Sequence, residues 1–261
     1  MQKEQAFDFV PYKYGCFSFQ ANADLNTLTK YGLVRMTEKG WEKASDENFI
    51  PGLNKGDKDI LMAVKALYKG KTAAELIKIT YKKYPYFALN SKIADQYLSP
   101  EELANLSKYV ATDSETCLYT IGYEGISLER YLNKLIRKDI KVLCDVRKNA
   151  LSMKFGFSKN QLKTACEGVG IAYYHLPEVG IESDQRHNLN NQADYDRLFE
   201  KYTSETLPYT VETQQFILDL LQEHGRVALT CFEAHSCQCH RSHLAKAIAG
   251  LPQFSYSLHH L

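Results

Sequence analysis

From Thr116 onward, short apolar runs of strand length alternate with segments of helical period, and every run ends in polar residues. The runs are Cys117–Ile121, Lys141–Val146, Ile171–Leu176 and Arg226–Cys231, with Phe254–Leu258 as a candidate fifth. Between them, Ser127 is placed to cap a helix with Leu128, Tyr131, Leu132, Leu135 and Ile136 on one face. Ser158 is placed to cap another, with Leu162, Ala165 and Cys166 inward. Helices are expected near Asp194–Thr203 and Tyr209–His224, and again from Arg241. Strand–helix–strand spacing of this kind predicts a Rossmann-like α/β fold with a mostly parallel sheet and right-handed crossovers.

In a parallel sheet the carboxyl ends of the strands share one edge, where ligands bind and helix N-termini point. Here that edge collects Tyr123 and Glu124, then Asp145 and Arg147, then His175 and Glu178, then Cys231 and Glu233. Each has a structural explanation when taken singly. Asp145 can bond its own loop, His175 can be a satisfied core histidine, and Cys231 can be a small core residue.

The densest chemistry is Ala228–Ala249, in which an apolar strand passes through a Cys/His loop into a helix. Cys239 falls just before that helix, with His240 and Arg241 adjoining. A helix N-terminus and a neighbouring cation favour thiolate, so Cys239 is the candidate nucleophile. The alternative is a buried helix-capping thiol. Cys231, Cys237, Cys239, His235, His240 and His243 also supply enough ligands for tetrahedral zinc. Their spacing matches no common paired Cys-x-x-Cys site, so the primary expectation is a site without cofactor, with zinc as the alternative.

Residues 1–112 follow a different pattern, and the α/β domain is expected over 113–261. Phe7–Tyr14 alternates as a strand does. Ser18 is placed to cap a helix to about Tyr31 with Leu25 and Leu28 inward, and Leu33–Met36 is a short strand. Asp57 or Asp59 opens a helix with Ile60, Val64 and Leu67 on one face. Thr72 opens another, with Lys78, Lys82 and Lys83 outward. A polar helix begins at Pro100, and Ala111–Glu115 is the expected linker. Helices with small strands suggest a winged-helix-like module. Its lysines either solvate helix faces or contact nucleic-acid phosphates.

Bulk properties exclude little. The chain has 261 residues, 44% of them hydrophobic, enough for a sizeable core, and a formal net charge of +1 gives no strong field toward nucleic acid or membrane. No apolar run reaches transmembrane length, so a cytoplasmic protein with no membrane partner is expected. The seven cysteines are odd in number and crowded at Cys237 and Cys239, which suggests reduced thiols.

Five motifs, in order, carry a resemblance. They are TIGYEGISLERYL from Thr120, LCDVRKN from Leu143, FGFSKNQL from Phe155, IAYYHLPEVG from Ile171, and LTCFE from Leu229 with CHR from Cys239. Together they resemble the family catalogued as domain of unknown function 488, which implies the fold and the shared positions but no reaction. A strand ending Asp-Val-Arg with a later strand–Cys-loop–helix is also similar to rhodanese-type sulfur-transfer domains. The loop from Cys231 to Arg241 is longer here and holds Glu233. In the first part, Tyr12–Val34 resembles helical or winged-helix modules found near prokaryotic toxin–antitoxin and phage-defence genes. In those modules a further apolar helix precedes the motif, which implies a module completed by a partner chain or a second copy.

Three functional readings stand at this point. The first is an enzyme, a cysteine- or carboxylate-dependent hydrolase or transferase acting on a nucleotide or nucleic acid. Arg147 and Arg241 would hold phosphate, Cys239 would attack, and Glu233 or Asp145 would move protons. Tyr123, Glu124, His175 and His240 would complete the binding surface. The second is a non-catalytic regulator or defence accessory that binds an anion or nucleic acid at the same edge. The third is a zinc-stabilised binding module.

Overall fold

A computed structural model describes residues 5–38, 40–111, 115–186, 189 and 191–261. The chain divides into two compact units, Met1–Ala104 and Asn105–Leu261. The linker expected at Ala111–Glu115 lies largely outside the described residues.

The first unit pairs β1 (Val10–Tyr12) with β2 (Gly15–Phe17), and β3 (Val34–Thr37) with β4 (Gly40–Lys43), as two antiparallel hairpins. Helix α1 (Phe19–Lys30) starts where Ser18 accepts a hydrogen bond from the Ala21 amide. Helix α2 (Lys55–Tyr68) is capped by Asn54. Helix α3 (Ala73–Lys83) opens on a full capping box between Thr72 and Glu75, and α4 (Pro100–Ala104) closes the unit. Ser18 and Thr72 thus cap where the sequence placed them, whereas α2 opens on Asn54 rather than on Asp57 or Asp59, and the apolar faces are not buried as expected. Neither α1 nor α2 has a buried residue, and Leu28, Leu61, Val64 and Leu67 are exposed. The core of this unit lies instead around Val10, Tyr81, Ala88 and Ala94.

The second unit is built on one all-parallel sheet. Its strands are β5 (Cys117–Gly122), β6 (Val142–Asp145), β7 (Ala172–His175), β8 (Arg226–Cys231) and β9 (Ser257–His260), in the order β7-β6-β8-β5-β9. Every residue of β5, β6 and β8 is buried, as strands covered on both faces must be. Helix α5 (Leu128–Arg137) links β5 to β6, and α6 (Lys159–Gly168) links β6 to β7. Helices α7 (Gln192–Lys201) and α8 (Val211–His224) lead back to β8, and α9 (His240–Ala249) leads on to β9.

The connections from β5 and β8 run in opposite directions along the sheet. Right-handed crossovers then put α5 and α9 on opposite faces, leaving a crevice where the two loops part. On the α8/α9 face, Leu118, Val142, Cys144, Val227 and Leu229 pack with Ile217, Leu218, Leu221, Leu244 and Ile248. The alternate residues Tyr119, Ile121, Leu143 and Ala228 are buried as well.

Register aligns the strand ends. Asp145 stands opposite both His175 and Thr230, and Gly122 opposite Cys231. The amides of Tyr123 and Glu124 both donate to the Phe232 carbonyl, drawing the two diverging loops together. Gly122 is required there, because a Cβ would lie 1.9 Å from the Glu233 carbonyl oxygen. We expect Gly122→Ala to cost about 3 kcal/mol of unfolding free energy by urea denaturation, since backbone must move to admit it. Gly250→Ala, whose Cβ would sit 3.4 Å from its nearest neighbour, should change stability by less than about 0.5 kcal/mol.

Candidate functional site at the carboxyl edge of the sheet

Asp145 ends β6 with no exposed surface, and Arg147, two residues on, is 6% exposed. The Arg147 amide donates to Asp145 Oδ1 at 3.2 Å, turning the chain so that the side chain folds back. Its Nε reaches Oδ1 at 2.7 Å and its Nη2 reaches Oδ2 at 2.5 Å, a two-pronged ion pair. The remaining prong, Nη1, donates to the Tyr123 hydroxyl at 2.6 Å and to the Phe157 carbonyl at 2.9 Å. Tyr173 donates its hydroxyl to Asp145 Oδ2 at 2.6 Å. Burial disfavours the guanidinium charge, but Asp145, through hydrogen bonds and charge, outweighs burial and raises the Arg147 pKa above its ordinary value.

Aromatic packing holds this network in place. Tyr123 stacks on Phe157 with centroids 4.2 Å apart, and Phe232 meets Tyr123 edge-on at 5.4 Å. His175 Nε2 lies 2.9 Å from the Arg147 carbonyl, and His240 Nε2 lies 2.9 Å from the Val146 carbonyl. A carbonyl only accepts, so each Nε2 carries a proton.

A cleft of about 340 Å³ opens beside the network. Of the residues singled out from the sequence, Tyr123, Arg147 and His240 line it, together with Lys148, Ser152, Cys231 and Phe232. Glu124 accepts instead from the Ala234 amide at 3.0 Å, tying the first loop to the last. Arg241 is buried and donates to the Glu233 and Ala234 carbonyls at 2.6 and 3.1 Å. Arg147 and Arg241, the residues expected to hold phosphate, both have guanidinium groups engaged within the protein. One fork is filled by Asp145, Tyr123 and Phe157, and the other clamps the 233–234 loop. Asp145 likewise holds Arg147 and Tyr173.

The motif-bearing segments now have a common frame, and residues 127–248 match the family model described as Domain of unknown function DUF488. Residues 127–248, within the second unit, are the part of the chain that resembles this family. The match includes Asp145, Arg147, His175, Glu233, Cys239, His240 and Arg241, and begins after β5. No curated protein and no solved structure matches the chain.

Within the matched residues, five of the six candidate Cys/His ligands fall in two places. Cys237 and His243 line another cleft, about 470 Å³, with Phe199 and Lys246. Cys231, Cys239 and His240 converge: Nδ1 of His240 lies 3.8 Å from Cys231 Sγ and 3.9 Å from Cys239 Sγ. Cys231 Sγ also lies 3.2 Å from Glu233 Oε2. Because Nε2 bears the proton, a neutral His240 turns its Nδ1 lone pair toward both sulfurs.

Cys239 does occupy the N-cap of α9, as expected, but its sulfur is fully buried. Burial raises its thiol pKa well above the ordinary value, with Cys231 and Glu233 adding to the rise and Arg241 only partly opposing it. That is opposite in direction to the thiolate expected from the sequence. Cys231, read from the sequence as a small core residue or a zinc ligand, is the thiol that borders the cleft. Tyr173 was missed because a tyrosine inside a strand gives no signal of its own. Its two-residue alternation with His175 on the strand facing Asp145 is the clue that was available.

Two outcomes follow from this geometry. Asp145→Asn leaves a buried guanidinium without its counter-charge and should cost about 3–5 kcal/mol by urea denaturation. Tyr173→Phe, which removes one hydrogen bond, should cost about 1–2 kcal/mol. The second outcome concerns pH. Burial raises the thiol pKa of Cys144 and Cys166 in the fold. The unfolded chain therefore loses these protons first as pH rises. Stability is fully present below the unfolded thiol pKa near about 8.5 and should fall above it, by about 1.4 kcal/mol per thiol per pH unit. Urea midpoints at pH 7.5, 9 and 10 should decline in that order, and a flat profile would contradict it.

Proposed function

We propose that the second unit is an enzyme acting on a nucleotide or nucleic-acid end, with the Cys231–Cys239–His240 cluster as its reaction centre and Glu233 as its proton acceptor. The observation that carries this reading is the His240 Nδ1 lone pair, aimed at two thiols, of which Cys231 lines a cleft together with His240 while Cys239 is fully buried. The cleft lies where ligands bind in open α/β sheets, and its volume suits one small molecule. Phe232 is 43% exposed and offers a face for a flat base, and Lys148, half-buried with its ammonium 2.9 Å from Glu182, is the cation at the rim.

The test is a panel of nucleotides and short single strands, read by thermal shift and calorimetry and then by turnover. A ligand at 100 times its Kd should stabilise the domain by about 2.7 kcal/mol. Phe232→Ala and Lys148→Ala should each weaken it about tenfold without loss of fold. His240→Gln should retain binding and lose turnover. If no member of the panel stabilises the protein at millimolar concentration, the substrate class is wrong.

A second reading is a non-catalytic regulator that binds nucleic acid through its first unit. Lys78, Lys82 and Lys83 on α3 are exposed, with Lys82 only 3.5 Å from Glu102 in an exposed pair. The exposed apolar residues Leu61, Val64 and Leu67 of α2 support a partner chain or second copy there. Salt-sensitive retention of DNA or RNA that charge reversal at these lysines abolishes, with no turnover of the panel, would favour this reading.

A further inference from the structure

We infer that Cys231 Sγ, Cys239 Sγ and His240 Nδ1 together form a binding site for a divalent transition-metal ion, zinc being the ion their chemistry fits. Its use in catalysis rests on the proposed function, but the binding itself does not. The three ligand atoms all lie within 4.8 Å of one another. Around tetrahedral zinc, with Zn–S about 2.3 Å and Zn–N about 2.0 Å, neighbouring ligand atoms stand roughly 3.6–3.8 Å apart. The distances of 3.8 and 3.9 Å from Nδ1 to the two sulfurs are already close to that.

The support around the three ligands points the same way. A histidine that ligates through one nitrogen usually donates the other N–H to a carbonyl or carboxylate, which fixes the ring. His240 meets this requirement at the Val146 carbonyl, 2.9 Å away. Cys231 ends β8, Cys239 caps α9 and His240 is the first residue of α9, so rigid elements hold all three. Among the described residues this is the group of Cys, His and acidic ligands that closes in this way.

Charge decides between a plain thiol pocket and an ion site. Two thiolates and a neutral imidazole around a divalent cation sum to zero, so the ion offsets the charge its own ligands acquire, with Glu233 standing 3.2 Å from Cys231 Sγ beside them. On binding, each thiol loses its proton, that of Cys231 by way of Glu233, and each sulfur gives a lone pair to the ion, as does Nδ1 of His240. Three protein ligands leave one coordination position, the arrangement of catalytic zinc. Two of the three ligands, Cys231 and His240, line the cleft, the side from which a fourth ligand would arrive.

The test uses the full chain and metal alone. Apoprotein prepared with a chelator is titrated with cobalt(II). Thiolate-to-cobalt charge-transfer absorption and the intense visible bands of a four-coordinate ion should grow and saturate at about one equivalent. X-ray absorption of the zinc-loaded protein should show a shell of two sulfurs with a nitrogen. Removing a ligand should weaken binding by at least about 100-fold, so Cys231→Ser, Cys239→Ser and His240→Gln should fail to compete for zinc where Cys237→Ser still does. A wild-type protein that gives no charge-transfer band, or a zinc shell without sulfur, overturns the inference even if the variants misfold. So does an unchanged band in Cys239→Ser, or a Cys231–Cys239 disulfide that takes up no metal after reduction. No nucleotide enters these measurements, so their failure is separate from failure of the proposed substrate class.

Discussion

The carboxyl edge depends on the buried ion pair between Asp145 and Arg147. Isolated, either charge would cost several kcal/mol to bury, and their attraction repays that only with good geometry and filled hydrogen bonds. Both conditions hold here. The carboxylate accepts from the guanidinium at two points, from the Arg147 amide and from Tyr173. The guanidinium goes on to Tyr123 and the Phe157 carbonyl. One pair thus ties the ends of β5, β6 and β7 to the loop before α6. Lysine could not replace Arg147, because a point charge cannot serve three directions in one plane.

The residues of this turn also anchor through their backbone. The Val146 carbonyl orients His240, and the Arg147 carbonyl lies against His175. Gly180 lets the following segment cross closely, since a Cβ there would lie 2.2 Å from the Lys148 amide nitrogen. Asp145-Val146-Arg147 therefore sets both the wall of the cleft and the tautomer of the histidine in it. The Val146 carbonyl joins His240 to the turn that carries the ion pair, so a change at Asp145 can reach His240 without touching it.

The fold was legible because it rests on local rules. Strand runs, helix period and the caps at Ser18, Thr72 and Ser127 each depend on a few neighbouring residues, and the three helices so capped formed near their expected bounds, whereas the strands expected at Phe7–Tyr14 and Phe254–Leu258 are Val10–Tyr12 and Ser257–His260. Amphipathic period did not show what covers a face, so α1 and α2 have the pattern without the burial. Site roles were less legible for the same reason. The sequence brings Arg147 to the edge, but that its fork turns back onto Asp145 depends on Tyr123 and Phe157, 24 and 10 residues away. A cation near an edge looks the same in sequence whether it faces solvent or its neighbour.

Cys239 shows which force wins when local and tertiary effects oppose each other. An N-terminal dipole contributes about 0.3–1 kcal/mol to a nearby anion, and up to about 2 kcal/mol in a partly buried geometry. One pKa unit is already about 1.4 kcal/mol, and full burial moves a titratable group by up to about 3–5 units. The dipole and Arg241 together therefore cannot hold a thiolate at a sulfur that no solvent reaches, and the thiol pKa rises. Only a formal positive charge at bonding distance could reverse that order. Metal coordination supplies such a charge, and it deprotonates a thiol outright where a helix terminus cannot. The feature that weakens Cys239 as a nucleophile in the sequence's terms, its complete burial beside a second sulfur and an imidazole lone pair, is the feature that suits it to be a ligand.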